Sequence, residues 1–552
     1  MAIIRSQCGQ CGVGCGIRAI TGDDRRVIIE GDGMHPANGG LLCGRGHALA
    51  DMVALDGRLL HPMVEGRRQS WDRTIARIAK GLSATLARHG PGSIALHVGG
   101  GLLTEDYYVA NKLMKGFFGS AHIHAPWRGG IGEGQRAAFG EDVMPAAYED
   151  VDRADTILMV GAQVAQTNPV LMTRVQAARE EHGARVILLA GPGEGEAIDA
   201  DLRLTIAGAS AARLIAGLLL HVHDSGASDA GYLARHVMVP DDFWDRLRPG
   251  HDIWSVARAC ARPAAEIRAF YECVAASDRL VTLFDDDAPS GLIAAILNLH
   301  LATGRIGRPG ATPFAVSRTA NAMGARETGC VATDLAAHRG FDPQARGRIA
   351  RLWGAERLAE EPGLEGEGLL RAMVAGKVKA LWSIGADLPA GPWLQAARRC
   401  VPLTIRSTTR LAEEADGWTM LLPSPSWVEK DGTLTGMDRL VSRQRRLLTL
   451  PDEAKPDWWM LTRVAQAMGW GDAFYYERAA EIYREHGRLT AYGNDGARLL
   501  NLKRDAPISN PAYDELTPWR WGGVPFDGGH FPTADGKARL VPIAVQAEAA
   551  MP

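Results

Sequence analysis

"SQCGQCGVGCGI", residues 6–17, places Cys8, Cys11 and Cys15 on one short loop, each followed directly by a glycine. A fourth cysteine, Cys43, stands in "LLCGRG" at 41–46. The spacing is C-x2-C-x3-C with a distant fourth member. Structural zinc sites usually use two separated CxxC knuckles. Three thiols on one tight loop and a remote fourth suit a cubane instead, where the loop wraps three irons and the remote thiolate takes the last. The interleaved glycines permit unusual backbone angles and let amide N–H groups approach the sulfurs, one lever on reduction potential. The spacing therefore predicts a [4Fe–4S] cluster on Cys8, Cys11, Cys15 and Cys43. Zinc, or reduced thiols clustered by chance, are the competing readings. Cys260, Cys273, Cys330 and Cys400 are scattered and read as ordinary buried thiols.

Outward from that loop, 552 residues give room for a large core split over several domains. Hydrophobic residues at 46% and charged residues at 23% are a globular balance. The net charge of −3, with no basic block, argues against a nucleic-acid partner. The longest apolar runs, such as "LIAGLLL" at 214–220, are too short to span a bilayer. The start "MAIIRSQCGQ" shows no secretory or twin-arginine leader, so a cytoplasmic location is expected.

The segment from Ile17 to Ile29 alternates like a small antiparallel sheet. Residues 67–90 read as a helix with Ser70 at its N-cap. Short apolar runs then recur and end in small residues: "SIALHVGGG" (93–101), "TILMVGAQ" (156–163), "RVILLAGPG" (185–193), "RLVTLFDDD" (279–287) and "VKALWSIGAD" (378–387). Helical stretches separate them, which is the rhythm of a parallel sheet with crossover helices. Ligands of such sheets sit past the carboxyl ends of the strands. "GPGEG" at 191–195 reads as a plain strand-to-helix turn more readily than as a phosphate loop. His122 and His124 alternate along a short strand with no third ligand nearby. Residues 451–552, rich in Trp, Pro and Gly, read as a loop-heavy wrapping tail.

The cysteine cluster is joined by "TEDYYVANKLMKGFFGSAHI" (104–123), "RAAFGEDVMPAAYEDVDRADTILMVGA" (136–162), "HLATGRIGRPG" (300–310), "NAMGARETG" (321–329), "LLPSPSWVEKDGT" (421–433) and "FPTADGKARLVP" (531–542). Together these resemble the molybdopterin oxidoreductases, and most closely the large subunit of assimilatory nitrate reductase. The resemblance implies an α/β fold: a small N-terminal iron–sulfur β-domain over 1–58, then doubly wound α/β domains over 59–140 with 315–450 and over 141–314, and a wrapping segment over 451–552. It implies electron passage from the cluster to molybdenum held by two pterin guanine dinucleotides, and reduction of nitrate to nitrite. It further implies cofactor contacts at Arg45, Gly161, Gln163, Asn321, Arg326 and Glu327. Arg45 stands where a lysine often separates cluster from pterin. Arg326 and Glu327 would line a substrate funnel or, more plainly, form a structural ion pair.

The departures fall at the implied active site. Where the family places a molybdenum-ligating cysteine, this chain offers Arg128, Gly129 and Gly130. Where the family has Asp-Pro-Arg-Arg-Thr around a guanine dinucleotide, this chain has "GPGEG", with Glu194 bringing negative charge. "DDDAPSG" at 285–291 would repel phosphate unless a cation intervened. The family's Asn-Pro becomes Asp387-Leu388-Pro389, and its C-terminal pterin-covering β-domain is absent from these residues. Two functions remain open. One is an electron-transfer subunit that keeps the cluster, has lost molybdenum catalysis or depends for it on a redox partner or separate subunit. The other is an active molybdenum bis-pterin enzyme without a protein cysteine ligand. Metal content separates them.

Overall fold

The computed structural model describes residues 2–22, 25–125, 130–385, 392–411 and 417–543. Its two large sheets grow from the apolar runs noted above. Ile94–Val98, Thr156–Val160 and Ala380–Ile384 are buried at every position. Parallel strands covered on both faces carry unbroken apolar runs for that reason.

The five-stranded sheet is parallel throughout. Its order is Leu202–Thr205, Arg185–Ala190, Thr156–Val160, Leu280–Asp285, Thr312–Val316. In chain sequence that is 3-2-1-4-5, the doubly wound order, which reverses between Thr156–Val160 and Leu280–Asp285. The seven-stranded sheet has a parallel part ordered Ile123–His124, Ile94–Val98, Ala380–Ile384, Leu403–Thr408, Met420–Pro423. This is 2-1-3-4-5, reversing between Ile94–Val98 and Ala380–Ile384. The hairpin Met63–Val64 and Arg67–Arg68 extends its far edge antiparallel.

The first expected helix forms over Trp71–His89, burying Ile75, Ile78, Leu82 and Leu86 on one face. Ser70 occupies its N-cap, but the side chain makes no capping bond. The Ser70 carbonyl instead accepts from both the N–H and the hydroxyl of Thr74. The antiparallel sheet expected after Ile17 is three-stranded: Ala2–Gln7, Gly16–Thr21 and Val27–Gly31. The expected loop-heavy tail includes two helices, Asp457–Ala467 and Ala479–Ala491, and both pack on the helix Thr104–Asn111.

A π-helix, Lys112–Phe118, follows Thr104–Asn111 and buries two lysines. Lys112 pairs with Glu485 at 2.7 Å. Lys115 donates to the carbonyls of Gly329, Val331 and Asp334, just past the helix Ala322–Thr328. A buried ammonium needs such compensation, and here it fixes the end of the helix bearing Arg326 and Glu327.

Candidate functional site

The cysteine loop is held from two sides. The Cys8 N–H donates to the Cys15 carbonyl at 2.8 Å, closing the loop. The Gly12 N–H donates to the Ser317 carbonyl and the Met437 N–H donates to the Gly12 carbonyl, each at 3.0 Å. Trp427 lies over Gly9, where an added Cβ would fall 2.3 Å from the indole ring. The indole N–H donates to the Gln7 carbonyl at 2.8 Å. Gly14 takes φ +62°, a conformation costly for a residue with a side chain.

Cys8, Cys11 and Cys15 are buried, whereas Cys43 is half-buried and precedes the turn Gly44–His47. Burial pushes the Cys8 thiol up to about 12, with neighbouring Cys11 and Cys43 adding to the shift and Arg45 opposing it. Burial raises Cys15 as well, followed by Cys8, Cys11 and Cys43. The four thiols are thus electrostatic neighbours. Yet among the described residues the only three potential ligands with donor atoms within 4.8 Å of one another are Asp285, Asp286 and Asp287. Four thiolates about 2.3 Å from one tetrahedral zinc would stand roughly 3.8 Å apart. The four thiols are not drawn together as tightly as four ligands of one zinc ion would be. They suit a cluster in which each ligates its own iron.

Arg45 is exposed and acts electrostatically on Cys8 and Cys11. Its guanidinium donates to the carbonyl of Thr167, the last residue of the helix Gln163–Thr167. A positive charge there favours the reduced, more negative cluster. Arg45→Met is therefore expected to lower the cluster's midpoint potential in an anaerobic redox titration. An unchanged potential would mean that solvent screens the charge completely.

The other implied cofactor residues divide into two groups. Gly161, φ +96°, ends the strand Thr156–Val160 and donates its N–H to the Leu189 carbonyl at 2.8 Å. Gln163 folds back over it, with an added Cβ at Gly161 falling 2.4 Å from the Gln163 Oε1. Asn321, Arg326 and Glu327 lie together on and before the helix Ala322–Thr328. The Asn321 amide donates to the Leu102 carbonyl, and its oxygen accepts from the Thr435 N–H at 2.9 Å. Glu327 accepts from the Thr435 hydroxyl at 2.7 Å and the Trp521 indole at 2.6 Å. Arg326 pairs not with Glu327 but with Asp142, Nε to Oδ2 at 2.8 Å. Burial would raise the Asp142 carboxyl, but Arg326, with His338 and Arg136, holds it below the usual range. Asp142 lies in "GEDVMP", and sequence reasoning did not single it out.

The strand ends beside the cysteine loop are packed closely. Gly100, after Ile94–Val98, faces Thr319, after Thr312–Val316, and an added Cβ at Gly100 would fall 2.7 Å from the Thr319 methyl. Between the strand ends lies a cavity of about 10 Å³ lined by Asp286, Ser317, Thr319, Arg326, Met144 and Met437, among others. That is room for about one water molecule. In "GPGEG", the Gly191 N–H donates to the Glu194 carboxylate at 3.1 Å, so the loop supplies its own anion. Arg203 is spent on the carbonyls of Glu194, Gly195 and Ile198. Gly130 opens the helix Gly130–Phe139 against the Ile293 side chain. Arg128, Gly129 and Asp387-Leu388-Pro389 lie outside the described residues. His122 and His124 accept the backbone N–H groups of Leu364 and Gly366, which accounts for both rings as sheet-edge fasteners.

Two family models match the chain. The one described as molybdopterin oxidoreductase matches residues 58–467, and the one described as molybdopterin oxidoreductase Fe4S4 domain matches residues 1–54. A nitrate reductase of Klebsiella oxytoca is 38% identical over 99% of this chain and 64% of its own length. A nitrate reductase of Shewanella frigidimarina is 34% identical over 99% of this chain and 62% of its own length. The chain thus spans a little under two thirds of the length of these two relatives. Among solved structures, the acetylene hydratase of Pelobacter acetylenicus matches with a TM-score of 0.75 at 16% identity, covering 98% of this chain and 77% of that one. At that identity the likeness speaks for the fold. No helix among the described residues is long and apolar enough to cross a membrane.

Proposed function

The chain belongs to the molybdopterin oxidoreductase family, as a nitrate-reductase-like member with an Fe4S4 domain, and from that premise we propose that it is an electron carrier working through one [4Fe–4S] cluster without molybdenum chemistry of its own. Cys8, Cys11, Cys15 and Cys43 hold the cluster in this reading. Their mutual proximity, their spread and the fitted loop around them support it. Electrons are exchanged with a redox protein partner or separate subunit, through the half-buried Cys43 rather than the three buried thiols. All eight cysteines are free, in keeping with a cytoplasmic setting. The division into 1–58, 59–140 with 315–450, 141–314 and 451–552 is part of the same reading.

The family's cofactor, molybdenum on two molybdopterin guanine dinucleotides, fits the described residues poorly. The observation that carries this is the packing of the strand ends beside the thiols, where about 10 Å³ stands open against the several hundred Å³ of an ordinary cofactor pocket. Charge supports it. Glu194 occupies a loop amide, and Asp285, Asp286 and Asp287 crowd the strand end at the switch point. The negative charge of these carboxylates opposes a diphosphate. The alternative, an active bis-pterin enzyme without a cysteine ligand, draws on the retained Arg326 and Glu327. Both are engaged by protein groups, Arg326 through its Nε and Glu327 through both carboxylate oxygens.

The experiment is turnover. Purified protein from molybdate-supplied cells, given a reduced viologen and nitrate, is expected to form no nitrite. Nitrite at about 1 per second or faster, within the ordinary range of enzyme turnover, would restore the molybdenum reading.

A further inference from the structure

Asp286 stands one residue past the strand Leu280–Asp285, 5% exposed, in the wall of the small cavity. The same cavity is walled by Ser317 and Met437, the two residues whose backbones clamp Gly12 between Cys11 and Cys15. Ser317 joins the two sides: its carbonyl accepts from the Gly12 N–H, and its side chain lines the small cavity with Asp286, where the hydroxyl favours the carboxylate. Asp287, half-buried, lies within 4.8 Å of Asp286, donor atom to donor atom, and leads outward. A carboxyl is thus wired to the cluster loop on one side and to the surface on the other, beside space for one water.

We propose that Asp286 binds a proton when the cluster accepts an electron, so that the chain carries an electron and a proton together; this rests on the cluster reading above. A one-electron donor gives one electron to the cluster, which becomes one charge more negative. One solvent proton enters past Asp287 and converts the Asp286 carboxylate to the acid. No other bond forms or breaks, and oxidation returns both.

The groups facing Asp286 set the balance. Asp285 and Asp287 flank it on its own turn, Arg326 faces it from the helix Ala322–Thr328, and Ser317 from the loop after Thr312–Val316. The Asp285 charge is tied to Arg318 at 2.9 Å, and Arg326 is tied to Asp142. Burial, then Asp287, pushes the Asp286 carboxyl up to about 7, against the pull of Arg326 and Ser317. A carboxyl balanced near neutrality responds to one added charge nearby.

The test is potentiometry of the full chain carrying its cluster, across neutral pH, with viologen mediators. The expected wild-type midpoint falls as pH rises, with a slope approaching about 59 mV per unit, one proton per electron. Asp286→Asn should flatten that slope while the cluster signal persists. Ser317→Ala removes a hydroxyl that favours the carboxylate, so it should move the sloping region to higher pH. A flat wild-type profile, a slope that survives in Asp286→Asn, or an unmoved region in Ser317→Ala would overturn the inference. If Asp286→Asn fails to fold, the Ser317→Ala shift decides alone. Protein that holds no iron overturns the electron-carrier reading as well, and the iron count reveals this before any potential is measured.

Discussion

Cys15→Ala is expected to destroy the cubane. Its thiol is buried, and its carbonyl closes the loop on the Cys8 N–H. Removing the sulfur leaves one iron without a protein ligand in a site shielded by Trp427 and the Ser317 and Met437 backbones. Two of the remaining thiols, Cys8 and Cys11, are then poor ligands, because burial pushes them up and only a bound metal offsets the cost of their thiolate forms. Iron per chain after anaerobic reconstitution should fall from about four to well under half of that, with loss of the reduced cubane signal. The same replacement at Cys400, which is exposed, should leave iron and signal unchanged. Full iron retention in Cys15→Ala would show that the cluster hangs on other residues.

How much of this was legible in the sequence differs by element. The cysteine spacing pointed to a cluster, in keeping with the Fe4S4 domain matched over residues 1–54, because ligand geometry on a short loop is a local property. The five apolar runs located the strands Ile94–Val98, Thr156–Val160, Arg185–Ala190, Leu280–Asp285 and Ala380–Ile384, since doubly covered strands leave unbroken apolar stretches. The strand Ala2–Gln7 was not legible. Its sequence, AIIRSQ, has no clean alternation, and it exists through pairing with Gly16–Thr21. The helices Asp457–Ala467 and Ala479–Ala491 were hidden by Trp, Pro and Gly around them, and packing on Thr104–Asn111 supports them.

At the site, long-range pairings lay beyond sequence reasoning. Arg326 was singled out, yet its partner Asp142 is 184 positions away, and nothing local marks one carboxylate among many. The sequence showed negative charge in "GPGEG" and "DDDAPSG". It could not show that Glu194 caps its own loop, or that Thr319 closes on Gly100. Those contacts depend on how the two sheets meet, and the proposal that the pterin is not held rests on them.

The central claim is an iron–sulfur electron carrier without molybdenum, and elemental analysis tests it most directly. The chain should be purified without oxygen from cells supplied with iron and molybdate, and its iron, zinc, molybdenum and released pterin counted. Four sulfur ligands on one loop and its distant partner predict about four irons per chain, with negligible zinc. The packed strand ends and the carboxylates at the switch point predict no stoichiometric molybdenum and no pterin. One molybdenum and two pterins per chain, or zinc in place of iron, would contradict the account.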